Sequence, residues 1–153
     1  MNLNKWVAVA AVLLGITANF SVLAEESTDS PVGVWKNIDD VTGKAKALIH
    51  ITETNGVLSG KIERLFRGPT EDQNPKCTKC DDANKDQPIL GMVILGGLKK
   101  EGDEYTGGDI LDPDNGKHYK SKLKLEEGGK KLNVRGYIGF SWIGRSQTWV
   151  REQ

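Results

Sequence analysis

Alanine is nearly missing from this chain once its first 24 residues are set aside; only Ala45, Ala47 and Ala83 remain. Without the strongest helix former, a helical bundle and a coiled coil are excluded. Charge of one sign is lacking as well. The 21 lysines and arginines balance 21 aspartates and glutamates, so there is no generally basic surface of the kind that binds nucleic acid. Past Ala24 no apolar run reaches the ~20 residues of a membrane-spanning helix, which excludes a polytopic membrane protein. Aromatic residues make up 7% of the 153, and there are two histidines and two cysteines. Glycine is what abounds, 18 residues against 5 prolines, well above its usual ~7% share. A small, glycine-punctuated, mostly β domain is what remains.

The first 24 residues read as a cleaved signal peptide. Lys5 precedes an apolar stretch, and Val22-Leu23-Ala24 sets small side chains where a signal peptidase needs them. Thr17, Asn19 and Ser21 interrupt the run before it is long enough to span a bilayer, and no cysteine follows for lipid attachment. The expected product is exported, periplasmic or secreted, and without a transmembrane anchor. Residues 25–31 are expected to form a flexible polar lead-in, and residues 32–152 a single domain.

Beyond Pro31 the chain alternates between strand patterns and turn chemistry. Val32–Asn37 is the first strand. In Lys44–Glu53, Ala45, Ala47, Ile49 and Ile51 share one face while Lys46, His50 and Thr52 share the other, the period of a half-buried strand. Asn55-Gly56 predicts a two-residue hairpin turn, since both residues tolerate positive φ, and Val57–Phe66 is its partner. Asn115-Gly116 carries the same signal between Tyr105–Leu111 and Lys117–Leu125. Gly128-Gly129 leads to Lys131–Ile138, and Arg145–Arg151 is the last strand. Seven strands and no helix predict an antiparallel barrel or sandwich. Gly91–Leu98 is apolar without alternation, and a buried strand or a short helical turn both fit it. Lys120, Lys122 and Lys124 alternate onto one strand face. A solvated outer face is the favoured account, with an anionic partner such as lipopolysaccharide or a nucleotide as the other.

Arg67–Gln87 is a long polar loop that carries Cys77-Thr-Lys-Cys80, and loops of this length are tied down or functional. Three chemistries compete for the pair. A structural disulfide suits an oxidising compartment and is the favoured one. A thioredoxin-type redox pair needs a helix N-terminus to lower one thiol pKa, whereas Asp81 and Asp82 would raise it. A zinc site needs four ligands, with Asp81, Asp82, His50 and His118 as the available extras.

Familiar catalytic patterns are absent: there is no G-x-S-x-G elbow, no P-loop and no G-x-G-x-x-G after a strand. Asp109, Asp112 and Asp114 gather three carboxylates, but an EF-hand register counted from Asp112 puts Gly116 at position five and Leu123 at position twelve. A turn is the better account. No catalytic residue, metal or cofactor is assigned. An enzyme is left as the lesser reading, and a thiol mechanism would need an unpaired, low-pKa cysteine at position 77 or 80.

Gly33-Val34-Trp35 opens the first strand and Thr148-Trp149-Val150-Arg151 closes the last. In a closed barrel these strands are neighbours, so a cation can lie over an indole face; Trp35 and Arg151 are expected to be structural. Gly136–Gly144, which must contain a turn, is rich in aromatic and aliphatic residues where turns are normally polar. It either plugs one end of the barrel or lines a ligand mouth.

The order of these features is the basis of a resemblance: G-V-W, the C-x-x-C loop, Pro88-Ile-Leu-Gly91, G-G-D-I-L-D-P-D-N-G-K-H-Y over residues 107–119, and R-G-Y-I-G…G-R-S-Q-T-W-V-R over 135–151. The chain resembles the DUF2147 family of uncharacterised exported bacterial proteins over nearly all of residues 32–151. The resemblance implies an all-β, small antiparallel lipocalin-like (calycin-like) β-barrel and supplies no catalytic residues. It raises the expectation of a small hydrophobic or amphiphilic ligand, walled by Tyr119, Tyr137, Phe140, Trp142, Arg145 and Trp149. The alternative is an envelope protein-interaction module with a filled barrel, docking a protein partner through the aromatic tip 139–144 and the 67–87 loop.

Overall fold

A computed structural model describes residues 28–152. The expected signal peptide, and residues 25–27 of the expected lead-in, lie outside the described residues. Eight strands follow one another: β1 (Gly33–Ile38), β2 (Ala45–Thr54), β3 (Val57–Leu65), β4 (Val93–Glu101), β5 (Glu104–Asp112), β6 (Lys117–Glu126), β7 (Lys131–Tyr137) and β8 (Gly144–Arg151). Each pairs antiparallel with the next, and β8 returns to β1, so the barrel closes in simple chain order. The choice between barrel and sandwich is thereby settled.

The alternation that marked β2 is borne out: Ala47, Ile49 and Ile51 are buried on the inner face, while His50 lies outside near Glu63. Asn55 (φ 52°) and Gly56 (φ 76°) form the expected two-residue turn between the paired Thr54 and Val57. The second Asn-Gly does not. There Asp112 pairs with Lys117, four residues intervene, and only Gly116 takes a positive φ. Asp112 explains the difference, because its carboxylate accepts from the Asp114 backbone N–H at 2.9 Å and from Asn115 Nδ2 at 2.9 Å. Such a side-chain cap favours the wider turn.

The undecided stretch Gly91–Leu98 supplies most of β4. Its alternation is broken because the β3–β4 ladder shifts register between Leu58 and Ser59 and again between Gly60 and Lys61. Consecutive Ile94 and Leu95 are both buried as a result, and bulges of this kind bend a barrel wall. Gly97 (φ 75°) and Gly107 (φ 79°) mark the same corner in β4 and β5. A Cβ at Gly108 would overlap the Gly96 carbonyl oxygen, so the two strands approach as only glycine permits.

On the outer face the lysines of β6 pair with acids of β5 and its preceding turn: Lys120–Asp109 at 2.9 Å, Lys122–Glu104 at 3.3 Å and Lys124–Asp103 at 2.7 Å. The three lysines thus lie on the outer face, where the favoured account put them. One end of the barrel is filled by Trp35, Ile51, Leu58, Leu98, Leu123 and Leu132, all with no measurable exposure. The chain before β1 crosses this end. Pro31 is buried and its carbonyl accepts from Trp35 Nε1 at 2.7 Å, while a Cβ at Gly129 would overlap Thr28 O.

Candidate functional site

The opposite end is open. The loops β1–β2, β3–β4, β5–β6 and β7–β8 surround a cavity of about 880 Å³ that penetrates the barrel as far as Trp149. Ligand sites are typically ~300–1,000 Å³. Its wall is largely aliphatic: Ala47 and Ile49 from β2, Ile62 and Leu65 from β3, Ile94 from β4, Ile110 and Leu111 from β5, and Val134 from β7. Ile89 and Pro75 bring the long loop into that wall. The barrel is therefore packed in its closed half and hollow in its open half.

Two polar side chains stand at the inner end beside Trp149. Gln147 Oε1 accepts from Asn37 Nδ2 at 3.0 Å and from Trp149 Nε1 at 3.3 Å. Tyr119 lies higher on the wall, and its hydroxyl accepts from Asn115 Nδ2 at 3.0 Å. At the rim three cations are paired with acids. Arg145 grips Asp40 with two donors, Nε to Oδ2 at 2.8 Å and a terminal nitrogen to Oδ1. This guanidinium holds the Asp40 carboxyl below its usual range, and Asp40 raises Arg145 in turn. Lys46 donates to Asp114 at 2.5 Å; partial burial pulls its ammonium down, but Asp114 outweighs this and leaves it raised. Arg67 lies 3.6 Å from Glu71. The β1–β2 loop is itself braced by Asp39, whose carboxylate accepts from the Thr42 N–H at 2.7 Å and the Val41 N–H at 3.1 Å.

The long loop is tied down. Cys77 and Cys80 form a disulfide and are buried, so neither is a resting thiol. The bridged segment rests on the β5–β6 turn: Cys77 Sγ lies 3.6 Å from Pro113 O, and His118 Nε2 is 2.8 Å from Asp82 Oδ2. That carboxyl is held low, first by the Asn84 backbone N–H and then by His118. Gly116 is where the two segments touch, because a Cβ there would overlap Lys79 O. Both histidines lie away from the cavity lining. Among the described residues no three His, Cys, Asp or Glu side chains gather as metal ligands, and no helix is long and apolar enough to cross a membrane.

Of the six residues expected to wall a ligand, Tyr119, Tyr137, Arg145 and Trp149 line the cavity. Phe140 and Trp142 stack on each other outside it, ring centres 4.5 Å apart, with 61% and 72% exposure. Their neighbours Ile138 and Ile143 reach the mouth instead. Asn37 is among the lining residues that sequence reasoning missed. Counting by two from Trp35 would have placed it on the inner face.

This architecture is that of a lipocalin-like barrel. The sequence profile described as an uncharacterized protein conserved in bacteria (DUF2147) matches residues 33–151, and the chain belongs to that family. Among solved structures it is similar to protein HP1028 from the human pathogen Helicobacter pylori, described as belonging to the lipocalin family. The two share 18% identity with a TM-score of 0.67, covering 81% of this chain and 84% of the other. No curated protein matches the chain.

Proposed function

We propose that this chain is an exported, periplasmic barrel that binds one small hydrophobic or amphiphilic molecule and performs no chemistry on it. The observation that carries the reading is the hollow, aliphatic open half of the barrel, whose volume suits a small ligand. Export is supported by the leader pattern in residues 1–24 and by the Cys77–Cys80 disulfide, since such bonds persist in oxidising compartments. The test is native mass spectrometry on protein expressed from its full sequence in a Gram-negative host, taken from the periplasmic fraction without detergent. A releasable mass above that of the polypeptide supports the proposal. A clean polypeptide mass, together with no uptake of added C8–C14 amphiphiles, overturns it.

A second reading rests on the exposed Phe140–Trp142 stack. It makes residues 139–144, with the 67–87 loop, a docking surface for an envelope protein. The double variant Phe140→Ser/Trp142→Ser separates the two readings. Ligand uptake that survives it belongs to the cavity, whereas loss of a co-purifying protein belongs to the tip.

A further inference from the structure

The indole of Trp149 fixes the orientation of two amides at the inner end of the cavity. Trp149 Nε1 can only donate, so the Gln147 atom facing it at 3.3 Å must be the oxygen. The Asn37 atom that meets the same oxygen at 3.0 Å must then be the nitrogen. This ordering does not depend on an arbitrary choice of amide flip. It leaves two groups of opposite kind without a protein partner among the described residues: the Gln147 Nε2 donor and the Asn37 Oδ1 acceptor. Both residues line the cavity.

We infer that the inner end of the cavity reads a neutral head group that both donates and accepts a hydrogen bond, a hydroxyl or a primary amide on an apolar body, and discriminates against a carboxylate. This deepens the ligand-binding reading and rests on it. A hydroxyl satisfies both free groups, accepting from Gln147 Nε2 and donating to Asn37 Oδ1. A carboxylate can use only the first, and it faces the carbonyl dipole of Asn37 with no proton to offer. Among the described residues it also lacks a counter-ion there. The lining cations are Lys44, Lys46, Arg67 and Arg145, all at the rim, and the last three already pair with Asp114, Glu71 and Asp40. Taking an unpaired charge out of water is far more costly than burying a hydrogen-bonded hydroxyl.

The experiment is isothermal titration calorimetry of the detergent-free protein with 1-decanol, decanamide and decanoate at neutral pH. The expected result is that the alcohol and the amide bind at least about tenfold more tightly than the carboxylate. Gln147→Met should cut that preference to less than about threefold. Gln147→Glu keeps the two accepted hydrogen bonds but adds a charge, so an unchanged near-ultraviolet circular dichroism spectrum is required of it before titration. It removes the donor, and should weaken the alcohol by a similar factor. Decanoate binding as tightly as decanol, or a preference that persists in Gln147→Met, overturns the head-group inference while leaving a binding barrel. Heat-silent titrations with all three probes, confirmed by the absence of complexes in native mass spectra, overturn both.

Discussion

Arg151 lies with its guanidinium carbon 4.3 Å from the ring centre of Trp35, and the same guanidinium donates to three carbonyls: Gly129 at 2.7 Å, Val32 at 2.9 Å and Ser30 at 2.7 Å. One side chain thus binds the segment before β1 and the β6–β7 turn across the closed end of the barrel. The cation–π contact contributes ~0.5–2 kcal/mol, and a hydrogen bond from a charged donor ~1.5–3 kcal/mol. Arg151→Ala should therefore lower stability by about 2–4 kcal/mol, read as a fall in the urea midpoint. Arg151→Lys should recover less than half of that, because an ammonium cannot reproduce the planar fork. Since the site lies at the opposite end, ligand affinity of the folded Arg151→Lys variant should stay within twofold of the parent. Equal stability of the lysine variant and the parent would argue against the fork.

Gly116 has two reasons to be glycine. Its φ is 74°, and a Cβ would overlap Lys79 O and crowd Cys80 N. The first alone costs ~1–3 kcal/mol for a side-chain-bearing residue. Gly116→Ala should loosen the docked loop more than the barrel. Trypsin should then cut after Lys79 or Lys85 at least about tenfold faster, with the global urea transition falling by about 1–3 kcal/mol. Unchanged cleavage kinetics would show that the loop is held elsewhere.

The disulfide closes a very small ring, and on the chain-entropy account such a ring stabilises the fold by only ~2 kcal/mol. Its work is local, keeping Pro75 and Ile89 in the cavity wall. Cys77→Ser/Cys80→Ser should fold, lose about 2 kcal/mol or less, and show faster amide exchange confined mainly to residues 67–92. Alkylating reagent should leave the native parent unmodified until reductant is added. Ready labelling without reductant would contradict the bond.

Much of this fold was legible because its strands obey simple periodicity. β2 reads directly from Ala45, Ala47, Ile49 and Ile51, and the Asn55-Gly56 turn from two residues that accept positive φ. β4 was not legible, for a physical reason: a bulged ladder buries Ile94 and Leu95 in succession and erases the alternation that marks a strand. The site was only partly legible. Tyr119 and Trp149 lie on inward-facing positions of predicted strands, but Asp40, which grips Arg145 at the rim, is 105 residues away in the chain. No local spacing announces such a pair; only barrel closure creates it. The Phe140–Trp142 segment shows the converse limit, since its composition cannot say on which side of a turn the rings fall.

The Asp40–Arg145 pair joins the β1–β2 loop to β8, the neighbour of β1, at the rim of the cavity, and its pH dependence follows from the carboxyl. Asp40 is held below its ordinary 3.8, mainly by the Arg145 hydrogen bond. A carboxyl depressed in the folded state contributes above its unfolded value, and the contribution is lost as pH falls through the lower folded value. The contact should thus be intact at neutral pH and still held at 3.8, opening only as pH falls further through the depressed folded value. Both groups are exposed, so global stability should change little. Dissociation of a bound alcohol probe should accelerate in that acid range for the parent, and Asp40→Asn should show the faster rate already at pH 7. An Asp40→Asn release rate equal to that of the parent would remove this pair from control of the mouth.

Ser121 sits on β6 opposite Gly108 of β5 and Gly136 of β7. It is fully buried, and its hydroxyl has no hydrogen-bond partner among the described residues. An orphaned buried hydroxyl costs ~1–3 kcal/mol, and deleting it returns that penalty less the packing of one lost atom. Ser121→Ala should therefore be neutral to stabilising, by up to about 1 kcal/mol in urea denaturation with an unchanged slope. A loss above about 1 kcal/mol would mean that the hydroxyl is satisfied, with an internal water as the natural partner. Since Gly136, its partner on β7, lines the cavity, such a water would enter from the open half, and the alanine variant is the decisive comparison.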